Sequence, residues 1–422
     1  MSTTVTTNRA EQVIARCQRL ASFSETEGGT RRTFLSPPMH DCHRELAQWM
    51  EPLVTKVRID AAGNLRGFYP AAQPNAPVLI IGSHLDTVPH AGAYDGILGV
   101  VLGVTLLEEL HGRRLPFAIE ILGFSEEEGV RFATPFIGSR ALVGRLDQQL
   151  LSLRDANGIS VREAIENFGL NPKEIPQAEL GNDTLGYLEF HIEQGPVLES
   201  LNQPLAAVEA IAGQSRLEFT FSGRSNHAGT TPMHLRRDAI ATAAEWIGAV
   251  ERQAQAVPGL VATVGKIEAK PGAANVIAAE TRVALDVRHS SDSIRTQAVD
   301  DLIQQAQAIA SSRGLSVHEN SLLSQRAVAL DPFLTAEIEK AILKTGCKPH
   351  RMVSGAGHDA MILAEKVPSG MIFVRTPGGI SHDPAESVIA DDVEKTILCG
   401  LYLLDQLASS PEFLQKREVA KG

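Results

Sequence analysis

The stretch Gly82-Ser83-His84-Leu85-Asp86-Thr87-Val88-Pro89 constrains this chain more than any other. It closes an unbroken apolar run, Val78-Leu79-Ile80-Ile81, which lacks the alternation of a half-exposed strand. Such a run predicts a strand covered on both faces, as in a parallel sheet with helices on either side. The strand ends on an imidazole and a carboxylate two positions apart. Side chains alternate along a strand, so His84 and Asp86 face the same way. A carboxylate beside an imidazole is the arrangement that orients a metal-ligating histidine. Tyr94-Asp95-Gly96 follows, just ahead of the apolar helical stretch Ile97 to Leu110. Asp95 therefore stands at a helix entry next to the strand end, where it could share a cation with His84.

A chain of 422 residues is too long for one ordinary core and predicts two domains. Helical spacing covers 11–23 and 39–53, and strands are expected at 54–59, 65–69, 77–83, 117–124 and 185–192, with a helix from about 96 to 111. Strand and helix alternate in this half, which implies a largely parallel sheet with ligands at the carboxyl ends of its strands. The pattern then changes. Ser215 to Phe221 alternates strictly, a helix is expected over 236–253, strands at 261–267 and 281–288, and a second long helix at 292–311. That order is the open-faced α+β sandwich. The predicted division is 1–213 and 329–422 for the first domain, with 214–328 inserted; helices at 333–345 and 391–408 and a strand at 371–374 return to the first domain. A net charge of −11 argues against nucleic acid or an anionic membrane as partner. Residues 1–10 are polar, so no signal peptide is expected, and no apolar run is long enough to span a membrane. Four scattered cysteines with no C-x-x-C pair point to a reducing compartment, hence the cytoplasm.

Five residues are candidate metal ligands: His84, Asp95, Glu128, His191 and His382. All fall at the ends of apolar strands or in glycine-rich loops such as Gly378-Gly379-Ile380-Ser381-His382. Mixed imidazole and carboxylate ligands suit zinc, manganese or cobalt. One carboxylate shared by two cations would build a dinuclear site that clamps a water and polarises a carbonyl. Hydrolysis also needs a base that is not a ligand, and adjacent residues at a strand end point apart, so the Glu127-Glu128 pair can supply one of each. Taken singly, each has a plain structural reading: a hydrogen-bonded histidine, a solvated acidic loop, a turn before a helix. The joint placement is what favours chemistry. Other clusters do not carry it. His40 and His43 sit i, i+3 on an amphipathic helix and are expected to be solvated. Asp155-Ala156-Asn157-Gly158 lacks the remaining positions of a calcium loop and reads as a turn. Gly96, Gly99 and Gly103 have the wrong spacing for a dinucleotide fingerprint.

Six segments occur in order: Gly82 to Val88, Tyr94-Asp95-Gly96, Glu127-Glu128-Gly129-Val130-Arg131-Phe132, His191-Ile192-Glu193-Gln194-Gly195-Pro196-Val197-Leu198-Glu199, Asn226-His227-Ala228-Gly229-Thr230-Thr231-Pro232-Met233 and Ser381-His382-Asp383-Pro384-Ala385-Glu386. In these the chain, from about residue 10 to 408, resembles the dinuclear metallohydrolases of the aminoacylase and carboxypeptidase superfamily. Within it the resemblance is to the amidase–hydantoinase–carbamoylase branch, which includes N-carbamoyl-L-amino acid amidohydrolases, β-ureidopropionases and allantoate amidohydrolases. The resemblance implies two divalent ions per subunit, zinc or manganese, with cobalt and nickel as further options. His84 and His191 would hold one, Glu128 and His382 the other, and Asp95 would bridge them. Glu127 would be the general base and Asp86 would orient His84. The inserted domain would be a lid and dimerisation domain. His227, Asn275 and Arg288 would bind substrate there, His227 also supporting the oxyanion, and in a homodimer some of these residues would complete the partner's site. Arg288 suits a carboxylate through its planar fork, although an arginine at a strand end is commonly just a surface ion pair. Gln194 would contact the ureido or amide group, and Gly357 and His358 would contact the substrate head group, unless Gly355 to Asp359 is simply a turn that caps a helix.

The implied reaction is hydrolysis of a ureido C–N bond in a small carboxylate-bearing molecule. Within the branch, Thr30-Arg31-Arg32-Thr33-Phe34-Leu35-Ser36-Pro37, Tyr94 to Val100 and Ser354 to Ala360 look most like allantoate amidohydrolases. The alternatives are an N-carbamoyl-L-amino acid amidohydrolase or β-ureidopropionase and, further off, an aminoacylase or dipeptidase. A binding protein derived from an enzyme would be expected to have lost a ligand or Glu127, and none is missing.

Overall fold

The computed structural model describes residues 9–419; the polar stretch 1–8 lies outside the described residues. Two compact units are present. The first takes the chain up to Glu209, then Leu330–Met352 and everything from Gly357; the second is Ala210–Ala329 with Val353–Ala356.

The first unit carries β1 (Lys56–Ile59), β2 (Leu65–Tyr69), β3 (Val78–His84), β4 (Ala118–Phe124), β5 (Thr184–Ile192) and most of β6 (Leu205–Ile211). The second unit holds β7 (Gly213–Ser222), β8 (Val261–Lys270), β9 (Glu280–His289), β10 (Ser316–Gln325) and the short β11 (Val328–Ala329). After them come β12 (Arg351–Ser354) and β13 (Ser369–Val374). In the first unit the strand order is β1-β2-β4-β3-β5-β13-β6. Its four middle strands, β4, β3, β5 and β13, are parallel, and antiparallel strands flank them. This is the mostly parallel α/β sheet expected from the uninterrupted apolar runs. The β3 register aligns His84 with Phe124, so both strands reach the same edge before their loops begin.

Helix α1 (Arg9–Ala21), α2 (Pro37–Met50) and α3 (Ile97–Glu109) belong to this unit. Every residue of α3 from Ile97 to Leu107 is buried. A helix apolar all round must lie inside the layers rather than cover them. Its glycines have a packing use: a Cβ on Gly99 would stand 2.2 Å from the Phe190 carbonyl oxygen. The close approach of helix to sheet accounts for the glycine spacing without any dinucleotide.

The second unit is a four-stranded antiparallel sheet in the order β10-β7-β9-β8. β7 alternates buried residues with half-buried or exposed ones along its whole length, as its sequence predicts. The long helices Ala239–Ala256 and Asp292–Ser312 pack on its apolar face around Trp246, which is fully buried against Phe219. Truncating such a residue costs about 3–5 kcal/mol. The Trp246 Nε1 donates to the Leu302 carbonyl at 2.9 Å, so its polar edge is satisfied. No described helix is long and apolar enough to cross a membrane. All four cysteines are free.

β6 was not expected as a strand. Its composition, Leu-Ala-Ala-Val-Glu-Ala-Ile, has little β preference, and pairing with β13 makes it one. The expectation for α2 also fails in part. His43 is 2% exposed, not solvated, with its ring edge-on to Phe168 at 5.8 Å, while His40 stacks on that same ring at 3.6 Å.

Candidate active site

Two strand ends, those of β3 and β5, and the loops that hold Asp95, Glu128 and His382 converge in the first unit on one carboxylate, that of Asp95. It is 3% exposed, and three imidazoles surround it. His84 Nε2 lies 3.5 Å and His191 Nε2 3.2 Å from Asp95 Oδ1, while His382 Nε2 lies 3.3 Å from Oδ2. Glu128 completes the second group, with Oε1 3.9 Å from His382 Nε2. The two oxygens of Asp95 thus face two separate sets: His84 with His191, and His382 with Glu128.

The far nitrogens of the rings decide what these sets can hold. His84 Nδ1 is 3.0 Å from the Asp86 carbonyl oxygen, and His191 Nδ1 is 2.9 Å from that of Ile192. A carbonyl only accepts, so in each neutral ring the hydrogen sits on Nδ1 and the Nε2 lone pair points inward. The two Nε2 atoms are 3.4 Å apart, and Asp95 Oδ1 between them is buried with no hydrogen-bond partner among the described residues. Lone pairs facing lone pairs around an unpartnered carboxylate oxygen are repulsive unless positive charge lies among them. Divalent cations fit this donor set, in the N and O mixture zinc and manganese accept. Protonation is the substitute without them. Burial opposes charge on His84, yet the Asp86 and Asp95 carboxylates outweigh it and lift the imidazole well above its usual range. Burial likewise opposes ionisation of Asp95, and His191, His382 and His84 together hold it well below.

Glycine at position 96 is required by this geometry. Its φ of +68° lies in the left-handed region, and a Cβ there would stand 2.5 Å from the His84 ring. The turn from Asp95 into α3 therefore passes flat against the His84 ring.

Glu127 and Glu128 lie in the loop after β4, not on the strand itself. What points them is Asp86: its Oδ1 accepts from the Glu127 N–H at 2.9 Å and its Oδ2 from the Glu128 N–H at 3.1 Å. The Asp86 carboxylate is 3.5 Å from His84 Nδ1, farther than its own carbonyl, so its shorter bonds position the glutamate loop. Glu127 is 8% exposed and groups with His84 and Glu128. Burial raises its carboxyl well above the usual range; His84 opposes the rise and Glu128 adds to it. Burial and the neighbouring Asp95 charge also push Glu128 up to about 7.

Gln194 reaches the same centre. Its backbone adopts φ +57°, and its Nε2 donates to Asp95 Oδ2 at 2.8 Å and to Ser381 Oγ at 3.2 Å. His382 is also left-handed, at φ +59°. Such conformations are costly for residues other than glycine and concentrate at functional sites. Gly357 precedes His358, which is buried with its ring edge-on to His191 at 4.4 Å and begins the short helix Asp359–Leu363.

His227, Asn275 and Arg288 lie in the second unit. The Ala228 N–H donates to the Asn275 carbonyl at 2.9 Å, which holds the His227 and Asn275 loops side by side. His227 Nδ1 accepts from the Gly229 N–H at 3.1 Å. Arg288 donates from Nε to Asp286 Oδ1 at 2.8 Å and from Nη1 to the Gly355 carbonyl at 2.6 Å. The ion pair weighed for this arginine is therefore present.

Two supporting acids had no role assigned from sequence. Glu386 Oε2 accepts from the Tyr94 N–H at 2.8 Å and the Asp95 N–H at 3.1 Å, fixing the loop that presents the shared carboxylate. It falls inside the Ser381–Glu386 segment, and that position was the only signal available for it. Glu189, fully buried on β5, accepts from Ser83 Oγ at 2.8 Å and from the Ala360 N–H at 2.9 Å, bracing the residues beside His84 and His358.

A parallel sheet that delivers imidazoles and carboxylates from its strand ends, with a buried glutamate beside them, is the layout of a metal-dependent hydrolase. The chain belongs to peptidase family M20/M25/M40, whose pattern matches residues 80–406. It is 38% identical over 387 residues to an N-carbamoyl-L-amino acid amidohydrolase of Geobacillus stearothermophilus, covering 89% of this chain and 93% of that one. It is 35% identical over 432 residues to allantoate deiminase 2 of Glycine max, covering 94% and 89%. The crystal structure of an amidase of the hydantoinase/carbamoylase family from Burkholderia multivorans is similar with a TM-score of 0.90 and 30% identity, over 95% of this chain and 98% of that one.

Proposed function

We propose that this chain is a metal-dependent amidohydrolase that cleaves a ureido C–N bond of allantoate, giving ureidoglycine, ammonia and carbon dioxide. The observation that carries the reading is the division of the Asp95 carboxylate between His84 with His191 on one oxygen and His382 with Glu128 on the other. On this reading those five residues hold two divalent ions, zinc or manganese. Bound there, the ions supply Lewis acidity, lowering the pKa of water and polarising the scissile carbonyl. Glu127 is the general base: it takes a proton from the attacking water and passes it to the leaving nitrogen, and its raised basicity suits both steps. Asp86 keeps Glu127 and Glu128 in their places through the two backbone N–H bonds. Gln194, Gly357 and His358 contact the ureido group, and His227, Asn275 and Arg288 bind the carboxylate, His227 also facing the developing oxyanion. We further propose that the protein acts as a cytoplasmic homodimer in purine catabolism, with the 214–328 domain as lid and dimerisation domain and its residues completing the partner's site.

The 38% identity to an N-carbamoyl-L-amino acid amidohydrolase supports a second reading, with that substrate class and the same metals and base. Ammonia release by the manganese-loaded protein, with allantoate and N-carbamoyl-L-amino acids compared side by side, separates them. A large kcat/KM advantage for allantoate is expected. The reverse would move the substrate only. Activity that survives complete metal removal by EDTA would refute the metal-dependent reading.

A further inference from the structure

A cavity of about 470 Å³ opens in the first unit between the loop 25–36, the start of α2, residues 130–131 and the segment 155–168. None of the residues assigned above to metal or substrate lines it. Two groups on its wall have no partner. Among the described residues the Arg31 guanidinium makes no hydrogen bond or ion pair, and its Nε is buried. Ser36 is 5% exposed, and its Oγ also has no partner among the described residues.

The local sequence explains the free hydroxyl. Ser36 is the N-cap of α2, where a serine side chain ordinarily accepts from the second or third helical N–H. The first two helical positions are Pro37 and Pro38, which have no N–H. The third N–H, on Met39, goes to the Ser36 carbonyl at 2.9 Å. The hydroxyl has nothing left to cap. Leu35 just before it adopts φ +49°, a conformation that is costly for a residue with a side chain.

The other charges around the cavity are engaged. Arg131 pairs with Asp155, Nε to Oδ2 at 3.0 Å, and donates from Nη1 to the Phe34 carbonyl at 2.7 Å. Glu25 Oε1 accepts from the Thr33 N–H at 2.6 Å and its Oγ1 at 2.8 Å. Arg31 is the cation left without a counter-ion. A planar guanidinium with free donors, lining the same cavity as a free hydroxyl, matches the two oxygens of a carboxylate or the corner of a phosphate.

We propose that this cavity binds a small molecule through its oxyanion group, carboxylate or phosphate, with Arg31 and Ser36 as the anchors. The inference is independent of the substrate assigned to the metal centre. The test is isothermal titration of the full, metal-loaded chain with inorganic phosphate and, separately, with acetate, in wild type, Arg31→Met and Ser36→Ala. Wild type is expected to bind at least one of the two, and the stronger ligand identifies the oxyanion. Arg31→Met is expected to weaken that binding about tenfold or more, and Ser36→Ala by a smaller factor in the same direction. Ser36→Ala removes one unpartnered oxygen, so it keeps the test valid should Arg31→Met fail to fold. Equal binding in wild type and Ser36→Ala, or no binding of either ligand, would overturn the proposal.

Discussion

Replacing Gly96 by alanine tests whether the turn after Asp95 sets the position of His84, a proposed metal ligand. The new Cβ would stand 2.5 Å from the His84 ring, whereas non-bonded carbons rest at about 3.5–4.0 Å. The ring has to withdraw by about 1 Å. Metal–ligand distances tolerate about 0.2 Å, so the displacement is several times what coordination can absorb. Loss of comparable orienting contacts costs about 10–100-fold in metal affinity. The φ of +68° adds a backbone penalty of roughly 1–2 kcal/mol in global stability. Gly112→Ala separates the two effects: Gly112 is also left-handed, at φ +81°, but nothing lies within 4 Å of its added Cβ. Equilibration against graded zinc buffers, followed by elemental analysis, reads the affinity. Thermal melts of the metal-stripped chains read the stability. Gly96→Ala should lose affinity and stability, Gly112→Ala stability alone. Equal metal affinity in wild type and both variants would refute the argument that this turn holds His84.

Glu127→Gln should abolish nearly all turnover while metal content stays near wild type; lost metal would exchange the roles of Glu127 and Glu128. Arg288→Ala should raise KM strongly for carboxylate substrates, and an unchanged KM would place the carboxylate site elsewhere. His43→Leu should alter pH dependence. Burial, with help from Arg32, lowers the His43 imidazole from 6.5 to about 3. The unfolded chain therefore takes up its proton first, and stability is lost as pH falls from 6.5 toward 3. Between pH 8 and pH 5 wild type should lose about 2 kcal/mol relative to His43→Leu in denaturant unfolding. An identical gap at both pH values would mean that His43 titrates as a solvated group does.

The parts of the fold that were legible are those in which local pattern and tertiary role agree. β3 opens on the unbroken apolar run Val78–Ile81 and β4 and β5 are buried along nearly their whole length because both faces are covered, while β7 alternates because only one is. The histidines and acids at their ends could be listed before any coordinates. β6 could not be read, because the five alanine, valine and glutamate positions in its middle carry no period and its neighbour β13 lies far along the chain. The work of Glu386 was hidden for the same reason: the amide it holds at Tyr94 is 292 residues away. Asp86 was read as a partner of His84, its neighbour in sequence, while its shorter carboxylate bonds go to a loop 41 and 42 residues on.

The position of β13 bears on how the molecule comes into being. β13 pairs parallel with β5 and antiparallel with β6, so the strand made last in this sheet lies between two made much earlier. During synthesis from the N-terminus, β5 emerges with an open edge that stays open while more than a hundred intervening residues are translated. The second unit, with its own core, can complete itself in that interval. The unfinished sheet meanwhile presents a strand edge of the kind that recruits other chains. His382 lies beyond β13, so a nascent chain can gather His84, Asp95 and His191 before His382, the partner of Glu128, has been made. On the proposed reading of this centre, cation loading is then ordered in time, with the His84–His191 side available first.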